Sequence, residues 1–171
     1  MVPYLLSEEE LLRECEVHRY RARGPGGQKR NTTDSAVRIV HRPTGVSATA
    51  TESRSQHENR RRALRRLREA LALHCRSLSD LEDRLNDQRV RRFLDQPGRV
   101  RIRESNDLYP LLVGLWLDAL EAAQGRIAEA AHLLGLASSS KYVRFLADHP
   151  HLWTAANAIR HRHGLPPLKK P

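Results

Sequence analysis

The residues with the clearest chemical potential are Gly24-Pro25-Gly26-Gly27-Gln28. Three glycines permit positive φ values and close approach of bare main chain, while Pro25 keeps the segment out of a hydrogen-bonded ladder. What such a loop presents is backbone. Its amides can donate to an oxyanion or a leaving hydroxyl. Gln28 adds an amide donor and a carbonyl acceptor with no charge to desolvate, so it can orient water without acting as a strong base. Arg19, Arg21 and Arg23 precede the loop, and Lys29 and Arg30 follow it. Exposed backbone between cations suits entry into a narrow pocket walled by RNA. No Lys-Ser/Thr pair follows at P-loop spacing, and the glycines do not fit the dinucleotide-binding fingerprint.

Other chemistries have less support. His149-Pro150-His151 and His161-Arg162-His163 lack carboxylates or thiolates at ligand spacing, so they read as exposed or capping histidines and no metal is expected. No set of Ser, His and Asp stands out as a nucleophilic triad. Cys15 and Cys75 make neither a metal-ligand pair nor a disulfide framework.

The elements that must hold the loop are legible around it. Ser7 caps a helix and Glu10 stands at the capping-box position. Residues 15–23 read as a strand with Arg19, Arg21 and Arg23 on one face. Strands over 36–41 and 46–51 flank Arg42-Pro43-Thr44-Gly45, the composition of a hairpin turn. From about Ser55 to Arg76 the spacing turns helical, with Leu64, Leu67, Leu71, His74, Ala63 and Ala70 as the apolar stripe. Arg60, Arg61, Arg62, Arg65, Arg66 and Arg68 crowd the remaining surface. A run of charges is usually a solvated face, but six arginines in so short a stretch favour a face turned to phosphates.

Composition agrees. The 171 residues carry a formal net charge of +10, which attracts polyanions and supports counterion-releasing contacts with phosphates. The bland alternative is a generic basic surface. Aromatics are only 5%, which argues against a base-stacking platform. The first residues do not read as a signal peptide, and no window is long and apolar enough to cross a bilayer, so a cytoplasmic location with no membrane partner is expected.

The runs 20–28, 31–39, 41–45 and 54–60 together resemble the catalytic domain of class I peptide chain release factors. The likeness covers roughly residues 15–75. It implies an α+β fold, a small mixed β-sheet with a packed helix, and ribosome-dependent hydrolysis of the peptidyl-tRNA ester. Gly26, Gly27 and Gln28 are then catalytic. The N–H at Gln28 stabilises the transition state and the departing 3′-hydroxyl, and the Gln28 side chain places water. The implied partners are the 23S rRNA of the peptidyl transferase centre and peptidyl-tRNA, with no cofactor. Gln28 is also a candidate methylation site, which brings in a glutamine methyltransferase. The RNA-facing set implied is Arg19, Arg21, Arg23, Lys29, Arg30, Asn31, Thr33, Ser35, Arg54, Ser55, Gln56, Arg60 and Arg61. Arg23, Lys29 and Arg30 depart from the family's usual Ser before the loop and His-Val after it, and add charge at the tip. Only a short stretch precedes the loop and no stop-codon-reading tripeptide is found, so a stand-alone rescue-type factor is expected.

A helical, all-α segment is expected to follow. Gln96-Pro97-Gly98 marks a break, giving a catalytic domain over 1–100 and a helical domain over 101–171. Residues 127–140 resemble the first helix and turn of a helix-turn-helix, with Gly135 at the turn and a serine capping the next helix. Val143, Phe145 and Leu146 would face the core, and Lys141 and Arg144 would meet nucleic acid. A plain helical packing unit explains the pattern equally well. A second reading of the whole chain is thus a non-catalytic RNA- or DNA-binding protein using the basic surface and this motif.

Overall fold

Three antiparallel strands, β1 (Cys15–Tyr20), β2 (Ala36–His41) and β3 (Ser47–Ala50), form a sheet in that order. The computed structural model describes residues 2–21 and 35–170. The class is α+β, as expected. The described strands are all antiparallel where a mixed sheet was expected, because β2 returns directly into β3 through a short hairpin. At that hairpin Gly45 N–H donates to His41 O at 2.8 Å, and Gly45 adopts φ +71°. That backbone conformation favours glycine. The central strand β2 buries Ala36, Val37, Ile39 and His41. The edge strand β1 is exposed along its length beyond Cys15.

Helix α1 (Glu8–Arg13) begins with the expected capping box: Glu10 N–H donates to Ser7 Oγ at 3.2 Å, and Ser7 N–H to the Glu10 carboxylate at 2.9 Å. Helix α2 (Gln56–His74) starts where Glu58 N–H donates to Ser55 Oγ. Its buried stripe is Ala63, Leu64, Leu67, Leu71 and Ala72. Ala70 is only half-buried, and His74, the terminal residue of the helix, is exposed, so the stripe is shorter than expected.

Contacts divide the chain into two compact units, one spanning Pro3–Leu71 and the other built from Val2 together with residues 72 onward. The second unit contains α3 (Leu81–Asn86), α4 (Gln88–Leu94), α5 (Tyr109–Ala122), α6 (Ile127–Leu133), α7 (Ser139–Asp148) and α8 (Pro150–Arg162). Every residue of α5 from Tyr109 to Leu120 is buried, which makes α5 the axis of this unit. Trp116 lies 4.1 Å centroid to centroid from Phe145, and its indole N–H donates to Tyr142 O at 3.3 Å. Tyr142 returns the bond, its hydroxyl donating to Trp116 O at 2.5 Å. Thus α5 and α7 satisfy each other's buried polar atoms.

One acid interrupts the apolar run of α5. Asp118 is fully buried and receives Arg84 at 2.8 Å and Arg76 at 3.1 Å, with Ser77 N–H at 3.3 Å. Burial pushes its carboxyl above the ordinary range, and the two guanidiniums oppose that.

Candidate functional site

The catalytic residues expected from the sequence, Gly26, Gly27 and Gln28, lie outside the described residues. So do Arg23, Lys29, Arg30, Asn31 and Thr33. The structure does describe the platform from which this segment leaves and to which it returns. Tyr20 and Ala36 are register partners in the antiparallel β1–β2 pair. The ladder therefore holds both ends of the intervening segment side by side at one end of the sheet.

A single buried side chain secures the return. Asn59 is inaccessible to solvent. Its Nδ2 donates to Ser35 O at 2.6 Å and to Ser53 O at 2.8 Å, and its Oδ1 accepts from Ser53 N–H at 3.0 Å. Asn59 thereby joins the start of β2, the chain entering α2, and α2 itself. Its full donor capacity and its acceptor are used, so only a carboxamide fits this position. Beside it, Ser53 Oγ donates to Glu58 at 2.9 Å and accepts from Ser55 N–H at 3.1 Å. The Ser53 hydroxyl first, and then the Arg62 guanidinium, hold the Glu58 carboxyl below its ordinary range.

Around this joint the structure gathers several of the expected RNA-facing residues. Arg19 and Arg21 are exposed at the departing end of β1. Arg54, Ser55, Arg60 and Arg61 are exposed at the start of α2, and Gln56 is half-buried. Ser35 is buried, with its carbonyl engaged by Asn59, so it anchors the base. Ser55 Oγ accepts a backbone N–H as the helix cap.

The six-arginine face of α2 divides by function. Arg62 pairs with Glu58 at 2.5 Å. Arg66 binds Thr49 O at 2.7 Å and pairs with Glu52. Arg68 donates to Tyr4 O and Leu6 O. Those three tie the helix to its own unit. Arg60, Arg61 and Arg65 are exposed and make no hydrogen bond or ion pair among the described residues. They are the part of the face left to meet an external anion.

Sequence reasoning did not single out Asn59, nor the clamp at His41. The buried His41 ring lies 2.8 Å from Glu14 Oε2 through Nε2 and 2.8 Å from Thr44 Oγ1 through Nδ1. Arg42 adds donors to Glu14 O and Arg13 O. The signal available was polar residues of buried type inside otherwise regular elements.

A model of the RF-1 domain matches residues 9–107, more than half of the sequence. The chain belongs to the RF-1 domain family. Its relatives include peptide chain release factor 1 of Rhodospirillum rubrum, 47% identical over 68 residues, which are 40% of this chain and 19% of that protein. The Kocuria rhizophila protein of the same name is 41% identical over 88 residues, 52% of this chain and 24% of that protein. That of Caldicellulosiruptor bescii is 47% identical over 77 residues, 45% and 21% respectively. This chain thus spans about a fifth to a quarter of the length of these relatives. The matched part of the RF-1 domain includes β1, the β2–β3 hairpin and all of α2, so the Asn59 joint and the His41 clamp both fall inside it.

The helix-turn-helix expectation fares unevenly. Gly135 turns the chain at φ +67°, and Ser138 Oγ accepts from Lys141 N–H as the cap of α7. Phe145 and Leu146 are buried, but the third core position is Tyr142, with Val143 only half-buried. Arg144 is exposed. Lys141 is not placed as a nucleic-acid contact: it is buried, and its ammonium donates to Leu94 O at 2.6 Å and Gln96 O at 2.5 Å. Its charge caps the end of α4, where carbonyls lack helical partners. Among the described residues no group of three or more His, Cys, Asp or Glu is arranged to hold a metal, and no helix is long and apolar enough to cross a membrane.

Proposed function

We propose that this RF-1 domain chain promotes hydrolysis of the ester joining nascent peptide to tRNA, inside the peptidyl transferase centre of the ribosome. Gly26, Gly27 and Gln28 supply the chemistry. The Gln28 backbone N–H stabilises charge developing on the oxyanion or the departing 3′-hydroxyl, and the Gln28 side chain orients the attacking water. Arg19, Arg21, Arg23, Lys29, Arg30, Asn31, Thr33, Arg54, Gln56, Arg60 and Arg61 face the RNA. On this reading residues 1–100 form the catalytic part and 101–171 an appended helical part. Gln28 is the proposed methylation site, read out by mass spectrometry of the native protein. The protein works in the cytoplasm on stalled ribosomes.

The observation that carries the proposal is the β1–β2 register. Pairing Tyr20 with Ala36, with Ser35 held by Asn59, gives the glycine loop a fixed base flanked by exposed arginines. A binding module would have no need of a Gly-Gly-Gln triplet on such a base.

The test is peptide release from ribosomes programmed with truncated, stop-containing and intact messages. Rescue predicts release on truncated messages without a stop codon. Release confined to stop-containing complexes would replace rescue by termination, and no release on any message would reject the hydrolase reading. Gly27→Ala should lower the release rate on the order of 10²–10³-fold, as for the loss of one oxyanion donor. Gln28→Ala should cost less, because its backbone N–H persists.

A further inference from the structure

Between α4 and α5 the sequence Arg99-Val100-Arg101-Ile102-Arg103 alternates cation and aliphatic residue. The burial alternates with it: Val100 is 2% exposed and Ile102 half-buried, while the three arginines are exposed. In-and-out alternation is the habit of extended chain, in which residues two apart are separated by about 6.6 Å. That repeat is comparable to the phosphate-to-phosphate step of a polynucleotide strand.

The segment is fixed before any ligand arrives. Upstream, Lys141 holds the carbonyls of Leu94 and Gln96, and Arg101 N–H donates to Gln96 Oε1 at 3.3 Å. At the segment's first residue, Arg99 forms a two-pronged pair with Asp148, its Nε donating at 2.6 Å. Lys141 and Asp148 thus both reach the segment from α7. Arg144 stands between them on the helix, three residues from one and four from the other, which keeps it on the same face. The guanidiniums of Arg101, Arg103 and Arg144 make no hydrogen bond or ion pair among the described residues. A cavity of about 470 Å³ opens here, lined by Arg99, Val100, Arg101, Ile102, Arg103, Asp148 and His149. The nearby carboxylates are Asp148, engaged by Arg99, and Glu104, exposed and 3.9 Å from His149.

We propose that Arg101, Arg103 and Arg144 form a phosphate-binding surface for an RNA strand, carried by the helical unit and distinct in sequence from the glycine loop. Planar guanidiniums match phosphate oxygens two at a time, and Arg101 and Arg103, two residues apart, are spaced for successive phosphates of a polyanion. A membrane surface would call for exposed apolar side chains beside the cations, whereas Val100 is buried and Ile102 half-buried. The choice of RNA over other nucleic acids rests on the release-factor reading.

The experiment measures binding of the full chain to a defined RNA hairpin as salt is raised. Replacing Arg101, Arg103 and Arg144 together by Gln should reduce the slope of log affinity against log salt by about 2–3, from three lost phosphate contacts. The same three positions as Lys should keep most of the slope. Should the triple variant melt abnormally, each single Arg→Gln change should still remove about 0.7–0.9 of slope. An unchanged slope in natively folded Gln variants overturns the proposal. So does loss of binding to phosphatidylglycerol vesicles with RNA binding intact. Peptide release is scored separately: a chain that releases no peptide, yet shows the slope change, fails the hydrolase proposal and leaves this one standing.

Discussion

Asn59 shows how much of the platform rests on one side chain. Its carboxamide satisfies two carbonyls and one N–H in a site closed to water. Asn59→Ala strands those groups, and a buried unsatisfied polar group costs about 1–3 kcal/mol. The expected loss is roughly 2–3 kcal/mol, read from denaturant unfolding, because the groups share one site and some regain water. Asn59→Asp keeps the acceptor and loses both donations, so it should be no better. A loss under about 0.5 kcal/mol for Asn59→Ala would show the joint to be dispensable. His149 makes a different residue-scale prediction. Its ring sits 4.9 Å from Phe145 and 5.0 Å from Tyr109, with Nδ1 3.1 Å from the Tyr109 hydroxyl. Burial holds it below its ordinary value of 6.5, against the pull of Glu104. The unfolded chain therefore takes up this proton first, and stability falls as pH drops below 6.5. Thermal melts of wild type and His149→Gln between about pH 5 and 7 should show the flatter profile in the variant.

At the scale of elements, the turns sort themselves by what surrounds them. Gly45 and Gly125 both have positive φ, +71° and +80°. A Cβ at Gly45 meets nothing within 4 Å, so Gly45→Ala costs backbone strain alone, about 1–2 kcal/mol. A Cβ at Gly125 would lie 3.0 Å from Leu165 Cδ1 and 3.3 Å from Arg160 Cα. Gly125→Ala should therefore be the more damaging of the two, by melting temperature, and the reverse order would contradict the packing described. The elements most legible in the sequence were those specified locally. The Ser7–Glu10 box depends on residues three apart, and the hairpin depends on Pro43 and Gly45 between two short strands. What stayed hidden depends on distant partners. Asn59 binds a carbonyl 24 positions away, and Lys141 binds carbonyls 45 and 47 positions away. No periodicity reports such pairings. Helix α5 was legible only as part of a helical segment, without its own bounds, because a helix buried on all sides has no polar face to mark its period.

For the whole molecule, the excess of positive charge is not spread evenly among roles. Arg62, Arg66, Arg68, Arg76, Arg84 and Arg99 bind carbonyls or carboxylates inside their own unit. Arg60, Arg61 and Arg65 in one unit, and Arg101, Arg103 and Arg144 in the other, are left facing outward. Net charge alone predicts attraction to polyanions, whereas this partition separates cations spent inside the fold from cations that stay exposed. The buried cluster gives the converse prediction. Asp118→Ala leaves Arg76 and Arg84 without their shared carboxylate, and breaking a buried pair from one side costs about 3–5 kcal/mol. Helical circular dichroism should be lost at lower denaturant than in wild type.

Lysine is scarce in this arginine-rich chain: only Lys29, Lys141, Lys169 and Lys170 occur. With its amine sealed against the end of α4, Lys141 should resist acylating reagents while the helical unit stays folded, and react once that unit opens. Mass-spectrometric labelling of this one amine would then follow the opening of the C-terminal helices in any mixture, ribosomes included, without a fluorophore or a purified sample.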